Sequence, residues 1–166
     1  MSGFTRVKAV LAVLALLAAP VASIATVNGV VTPDTQAFVR DGSILFDVAV
    51  DPMNGNLYLV WQDVRFRGID EIAFSMSSDG GNSWSSPVRI NRTPNNRNPL
   101  RQQAFIPSIA VGPNGELAVT YYDFRNDTAD SHEATDFWAV FCSPRALDCR
   151  KTSNWGVEVR LTNRSF

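Results

Sequence analysis

Histidine is nearly missing from this chain. Of 166 residues only His132 is a histidine, and only Cys142 and Cys149 are cysteines. A structural zinc site needs more ligands of those types than this, so no metal is expected on that basis. The two cysteines also lack the Cys-x-x-Cys spacing of a redox pair. No Lys/Arg block or stripe is present and the formal net charge is −1, which argues against a nucleic-acid partner. Beyond the first 25 residues no apolar run approaches the roughly 20 residues that a membrane-spanning helix needs. No segment there holds a 3.6-residue apolar period, which leaves little room for helix.

The exception to the missing apolar runs stands at the front. Arg6 and Lys8 precede an unbroken apolar stretch, Ala9 to Ala19, and then come Pro20, Ala22, Ser23 and Ala25. A basic segment, a short apolar segment and small residues make the layout of a secretory signal peptide over residues 1–25. The expected location is therefore secreted or extracellular, with no stable membrane span once the leader is removed. Taking Arg6 and Lys8 from the 15 basic residues leaves 13 against 16 acidic ones, a mildly acidic remainder. Residues 26–166 are enough for one modest domain. In an exported chain the default reading of Cys142 and Cys149 is a disulfide closing a short loop.

The remainder repeats itself. "VAVDPMNGNLYLVWQDVR" (48–65) recurs as "IAVGPNGELAVTYYDFR" (109–125), a period of about 60 residues. Val50 matches Val111, Pro52 matches Pro113, and after one extra residue, Met53, Gly55 matches Gly115. Trp61 then matches Tyr121, Asp63 matches Asp123 and Arg65 matches Arg125. Each Asn-Gly pair (54–55, 114–115) is a hairpin signal between β-rich runs. The first copy predicts strands at about 44–50, 57–62, 71–77 and 87–91. The second predicts them at about 106–111, 117–122, 137–141 and 158–163. The expected fold class is all-β, two successive units of four antiparallel strands spanning 44–91 and 105–163.

The stretch "SSDGGNSW" (77–84) joins the third and fourth strands of the first unit. Ser77, Asp79, Gly81, Ser83 and Trp84 fit the pattern Ser-x-Asp-x-Gly-x-Thr-Trp, with serine in place of threonine. This resembles the Asp-box, or bacterial neuraminidase repeat, of sialidase-like β-propellers, and the likeness extends over about residues 44–166. An aspartate in a tight turn accepts backbone N–H bonds, glycine supplies otherwise forbidden angles, and tryptophan buries a large area. None of these tasks needs a substrate, and the resemblance likewise assigns the box a structural role. The second unit has "CSPRALDCRKTSNW" (142–155) instead. It keeps Trp155, and the cysteine pair takes the place of the Asp-x-Gly core.

What the resemblance implies about chemistry is glycan-directed work of the exo-α-sialidase type. Such glycoside hydrolases use an arginine triad, an aspartate acid/base and a tyrosine–glutamate nucleophile. In the loop 62–75 Asp70 takes the place of the acid, and Arg65 and Arg67 are the neighbouring cations that would face an acidic or hydroxyl-rich ligand. The arginine that the resemblance implies at the opening of the first unit is absent from "SILFDV" (43–48), with Arg40 just ahead of it an imperfect substitute, and none precedes Ile106 and Pro107 in the second unit. Tyr121 and Tyr122 read as packing residues. Most of the catalytic set would lie in further blades, which the same protein or self-association would supply. The rival expectation is a non-catalytic extracellular propeller that binds glycan or protein.

The loop 123–136 holds five acids. Asp123, Asp127 and Asp130 offer oxygens for calcium, without the regular spacing of a dedicated loop; the other reading is a solvated loop, with no cofactor anywhere in the chain. Asn91, Asn126 and Asn163 head Asn-x-Ser/Thr sequons.

Overall fold

The tight turn that opens each repeated unit closes on a glycine at positive φ. The computed structural model describes residues 29–40, 45–95, 98–130 and 133–166, and the leader-like segment and His132 lie outside them. In the first unit, β3 (Phe46–Val50) turns into β4 (Leu57–Asp63) through Pro52–Gly55. Asp51 N–H donates to Asn56 O at 2.9 Å, and Gly55 takes φ 76°. In the second unit, β7 (Ala104–Val111) turns into β8 (Leu117–Asp123) through Pro113–Gly115, closed by Gly112 N–H to Glu116 O at 2.7 Å, with Gly115 at φ 83°. Only the glycine of each Asn-Gly pair has a positive φ. The hairpins are thus four- and three-residue loops ending in a left-handed glycine, and Met53 is the residue by which they differ.

The remaining strands are β5 (Glu71–Ser77) and β6 (Val88–Arg89) in the first unit, β9 (Asp136–Cys142) and β10 (Val159–Arg160) in the second. They form two four-stranded antiparallel sheets, β3-β4-β5-β6 and β7-β8-β9-β10. Registers agree between the two: Val50 faces Leu57 and Val111 faces Leu117, while Asp63 faces Glu71 and Asp123 faces Asp136. The fourth strands are shorter than the sequence suggests. One further bond extends each, from Ile90 N–H to Ile72 O and from Leu161 N–H to Phe137 O. Pro87 has no N–H to contribute, and past Ile90 the Asn91 side chain accepts from Ile72 N–H at 3.0 Å, so the ladder ends in a side chain. The seventh strand starts two residues ahead of its expected position. It bulges between Phe105 and Ser108, where Ile106 takes φ 52° just before Pro107.

An additional hairpin, β1 (Val30–Val31) with β2 (Phe38–Arg40), carries no repeat signal in the sequence. It is pinned to the second unit by Gln103, whose Nε2 donates to Val31 O at 2.8 Å while its Oε1 accepts from Val31 N–H. Val30 is seated on Phe105 and Phe124. The main core lies between the sheets. Tyr58, Val60, Ile72, Phe74 and Ile90 meet Ile109, Leu117, Val119, Tyr121 and Val140, and fully buried Trp155 packs edge-on to Phe74 at 4.9 Å. Cys142 and Cys149 form a disulfide against this core.

Candidate functional site

The β4–β5, β6–β7 and β8–β9 connections all leave from one end of the two sheets, and the hairpin connections β3–β4, β5–β6, β7–β8 and β9–β10 occupy the other. At the first end a pair of buried carboxylates recurs in both units. Asp63 accepts from Trp61 Nε1 at 2.7 Å and from Arg65 N and Nε at 2.8 and 2.6 Å. Its counterpart Asp123 accepts from Arg125 N and Nε at 3.2 and 2.6 Å and from Thr93 Oγ1 at 2.7 Å. Opposite them, Glu71 Oε1 accepts from Arg67 Nε and Arg89 Nη1 at 2.7 and 2.8 Å, and Asp136 accepts from Arg160 Nε at 2.9 Å. Burial disfavours the Asp136 charge, but bonds from Asn126, Arg160 and Thr162 outweigh it and hold the carboxyl below its ordinary range. These acid–arginine pairs belong to the repeated framework.

Asp70 does not. It stands just before β5, is 3% exposed, and has no counterpart in the second unit's framework. Among the described residues six buried side-chain polar atoms lack a partner. Four of them are Asp70 Oδ1, both amide atoms of Gln62, and Glu71 Oε2, gathered at the end of β4 and β5. Buried polar groups are ordinarily satisfied, so this concentration marks the place where the framework is given up for something else. Burial pushes the Asp70 carboxyl up to about 6, and the Asp63 carboxylate adds to the rise. A carboxyl that titrates near neutrality can hold a proton and release it, which suits general acid–base chemistry. Its main-chain carbonyl accepts from Ala104 N–H at 2.8 Å and so ties the site to the first residue of the second sheet.

The two arginines expected beside Asp70 are both ion-paired. Arg65 spans Asp63 and lies over the Trp61 ring, 5.8 Å from its centroid. Arg67 spans Glu71 and reaches Gln102 Oε1 at 3.3 Å. Each keeps about a fifth of its side chain exposed, so both still present charge at this end of the molecule. The side chain of Arg40 lies outside what the structure describes.

The Ser77–Trp84 turn sits at the opposite end. Asp79 Oδ1 accepts from Ser77 Oγ at 2.8 Å and Ser83 N–H at 2.9 Å, and Ser83 Oγ donates to Oδ2. Ser77 Oγ accepts in turn from Gly81 N–H at 2.9 Å, and Gly80 and Gly81 both take positive φ. These bonds, from the Ser83 hydroxyl and amide first and then Ser77, lower the Asp79 carboxyl to about 2. The disulfide hairpin of the second unit performs the same positioning by other means. Trp84 Nε1 donates to Gly81 O and Ser85 N–H to Met76 O; Trp155 Nε1 donates to Cys149 O and Gly156 N–H to Phe141 O. In both units a tryptophan is held by a carbonyl of its own turn.

The acids of the 123–136 loop are distributed rather than pooled. Asp123 is paired as described, Asp127 accepts from Arg101 Nε at 2.8 Å, and Asp130 accepts from Thr128 Oγ1. The set that does converge is Asp34, Asp127 and Glu133, with one oxygen of each within 4.8 Å of the others. Arg101 bridges Asp34 and Asp127, and Glu133 accepts from Thr35, so a guanidinium already stands where a cation would. Tyr121 is fully buried, donates to Glu158 and accepts from Arg125 Nη2; burial and the Glu158 carboxylate raise its pKa and keep the phenol protonated. Tyr122 stacks between Phe105 and Phe137. Of the sequons, Asn91 is buried with its side chain bonded to Ile72 and Thr93, whereas Asn126 and Asn163 are exposed.

Sequence reasoning did not find Gln62, Glu71, Thr93 or Gln102. Arg89 and Arg160 hold matching places in the two fourth strands, but their acidic partners lie 8 and 13 residues after Asp63 and Asp123, so no fixed spacing exposes them. No protein-family model and no curated protein matches the chain.

Proposed function

We propose that this chain is part of a secreted, sialidase-like Asp-box propeller that acts on glycans, with Asp70 as the acid that protonates the leaving sugar oxygen. The observation carrying this reading is Asp70 itself: a carboxyl outside the repeated framework, titrating near 6, at the end where Arg65 and Arg67 present positive charge. Arginines suit the carboxylate or hydroxyls of an acidic sugar. The two sheets in matching register and the self-bonded turn of Asp79 support the propeller part of the reading. Export is supported by the disulfide, and among the described residues no helix is long and apolar enough to cross a membrane. Further blades or another copy of the chain would cover the outer faces, where Phe46, Phe141, Val159 and Leu161 are each more than two-fifths exposed.

One observation favours the non-catalytic alternative, a propeller that only binds. Asp70 is enclosed and both arginines spend charge on Asp63 and Glu71. A fluorogenic sialoside separates the two. Turnover that Asp70→Asn abolishes while the fold survives supports hydrolysis. Retention on a glycan array without turnover supports the binding reading, and neither turnover nor retention defeats both.

A further inference from the structure

A cleft of about 330 Å3 opens beside the acid–arginine framework of the first sheet. Its walls carry Arg67, Arg89, Arg92, Thr93, Thr152 and Ser153. The first two arginines approach from the β4–β5 loop and from β6. Arg92 and Thr93 follow in the strand-to-strand connection, and Thr152 and Ser153 belong to the long β9–β10 hairpin of the other unit. We propose that this cleft is a binding site for a doubly charged tetrahedral oxyanion, a phosphate or sulfate group.

The charge balance is the first argument. Three guanidiniums line the cleft, and the carboxylate that answers them is Glu71, shared between Arg67 and Arg89 through a single oxygen, Oε1. The nearby Glu158 carboxylate is taken up by Arg125, Tyr121 and the main-chain N–H of Arg92. Three positive charges against one leave an excess of two. The second argument is donor supply. Arg89 spends one N–H on Glu71, and Arg92 spends one on Trp155 O. A guanidinium has five N–H donors in a fixed fork suited to phosphate-type oxygens, so several remain for a ligand. The third is size. The cleft lies at the small end of ligand pockets, which fits one oxyanion group or one sugar carrying it, and no polymer need enter. The proposal shares Arg67 with the hydrolysis reading but uses neither Asp70 nor a sialoside, so the phosphate titration can fail or succeed separately from sialoside turnover.

The test uses the full chain and two-dimensional amide NMR. Inorganic phosphate and sulfate, titrated at constant ionic strength, are expected to shift the amides around Arg89, Arg92, Thr152 and Ser153 saturably, with acetate and chloride producing no saturable shift. Arg92→Ala should weaken the response at least about tenfold, as loss of a charged hydrogen-bonding group does. Because Arg92 also bonds Trp155, Thr152→Glu provides a second variant. Thr152 is exposed, and the added carboxylate should abolish binding with the fold intact. Glucose 6-phosphate binding more tightly than inorganic phosphate would assign a sugar-borne group; equal affinity would assign the free anion. A chloride response equal to that of sulfate, or an unaltered response in Thr152→Glu, would overturn the site.

Discussion

Two aspartates of this chain sit in opposite electrostatic situations, and pH separates them. Asp70 is pushed above its ordinary 3.8, to about 6, by burial. Its folded form therefore keeps a proton that the unfolded chain has released. The ionised carboxyl costs stability above pH 6, and that cost fades as the pH falls from about 6 to 4. Asp79 is held down to about 2 by the Ser83 and Ser77 bonds. Its contribution is complete above pH 4 and disappears as the pH falls from about 4 to 2. Denaturant melts of the wild type, Asp70→Asn and Asp79→Asn across pH 2–8 read both windows. Asp70→Asn should be more stable than wild type by about 1–2 kcal/mol at pH 8, with the gap closing towards pH 4. Asp79→Asn should be less stable at neutral pH, with its deficit shrinking below pH 4. A constant Asp70→Asn difference at all pH values would mean that the buried carboxyl does not titrate as described.

At the scale of the element, the two β-hairpins that end each unit show one geometric task performed by two chemistries. In the first, glycines at positive φ and a bonded aspartate fold the turn; in the second, Cys142–Cys149 closes it with a sequence separation of 7. A loop so short removes limited entropy from the unfolded chain, about 2–3 kcal/mol on the chain-entropy model. Cys142→Ser with Cys149→Ser should lower stability by about that amount, measured against wild type with and without reductant. Reductant should leave the double variant unchanged, because the described residues hold no free cysteine. The repeat made these elements readable in advance. Strand β5 falls on its expected residues, and β4, β8 and β9 run one residue or so further at their ends. What the sequence hid was decided by side chains replacing backbone. The fourth strands stop early because Asn91 takes a ladder bond, and the β1–β2 hairpin exists through Gln103, a contact 72 residues distant. The candidate site was readable at Asp70, Arg65 and Arg67. Gln62 and Glu71 were not, because an unpartnered amide and a shared carboxylate leave no pattern in a single chain.

At the scale of the whole molecule, the decisive question is whether the two sheets are one cooperative body. Both units supply the main core, and the residues at its centre do not sort by unit. Phe74 of the first sheet lies against Trp155, which is delivered by the disulfide hairpin of the second, and stacks on Tyr58 within its own sheet. Polar ties cross the same boundary: Thr93 Oγ1 to Asp123, Asp47 Oδ2 from Ser108 Oγ and Ile109 N–H, and Arg92 to Trp155 O. Neither sheet alone has a second layer on which to bury its inner face, and a single sheet of four strands is a poor independent folding unit. Unfolding should therefore be a single transition seen identically by tryptophan fluorescence and far-ultraviolet circular dichroism. Phe74→Ala removes the first-sheet ring that meets Trp155 across the boundary. It should cost about 3–5 kcal/mol while leaving that transition single, because the loss falls on both sheets at once. Two resolved transitions in the wild type would show that the units fold independently, and the inter-sheet core would then be a docking contact between finished parts.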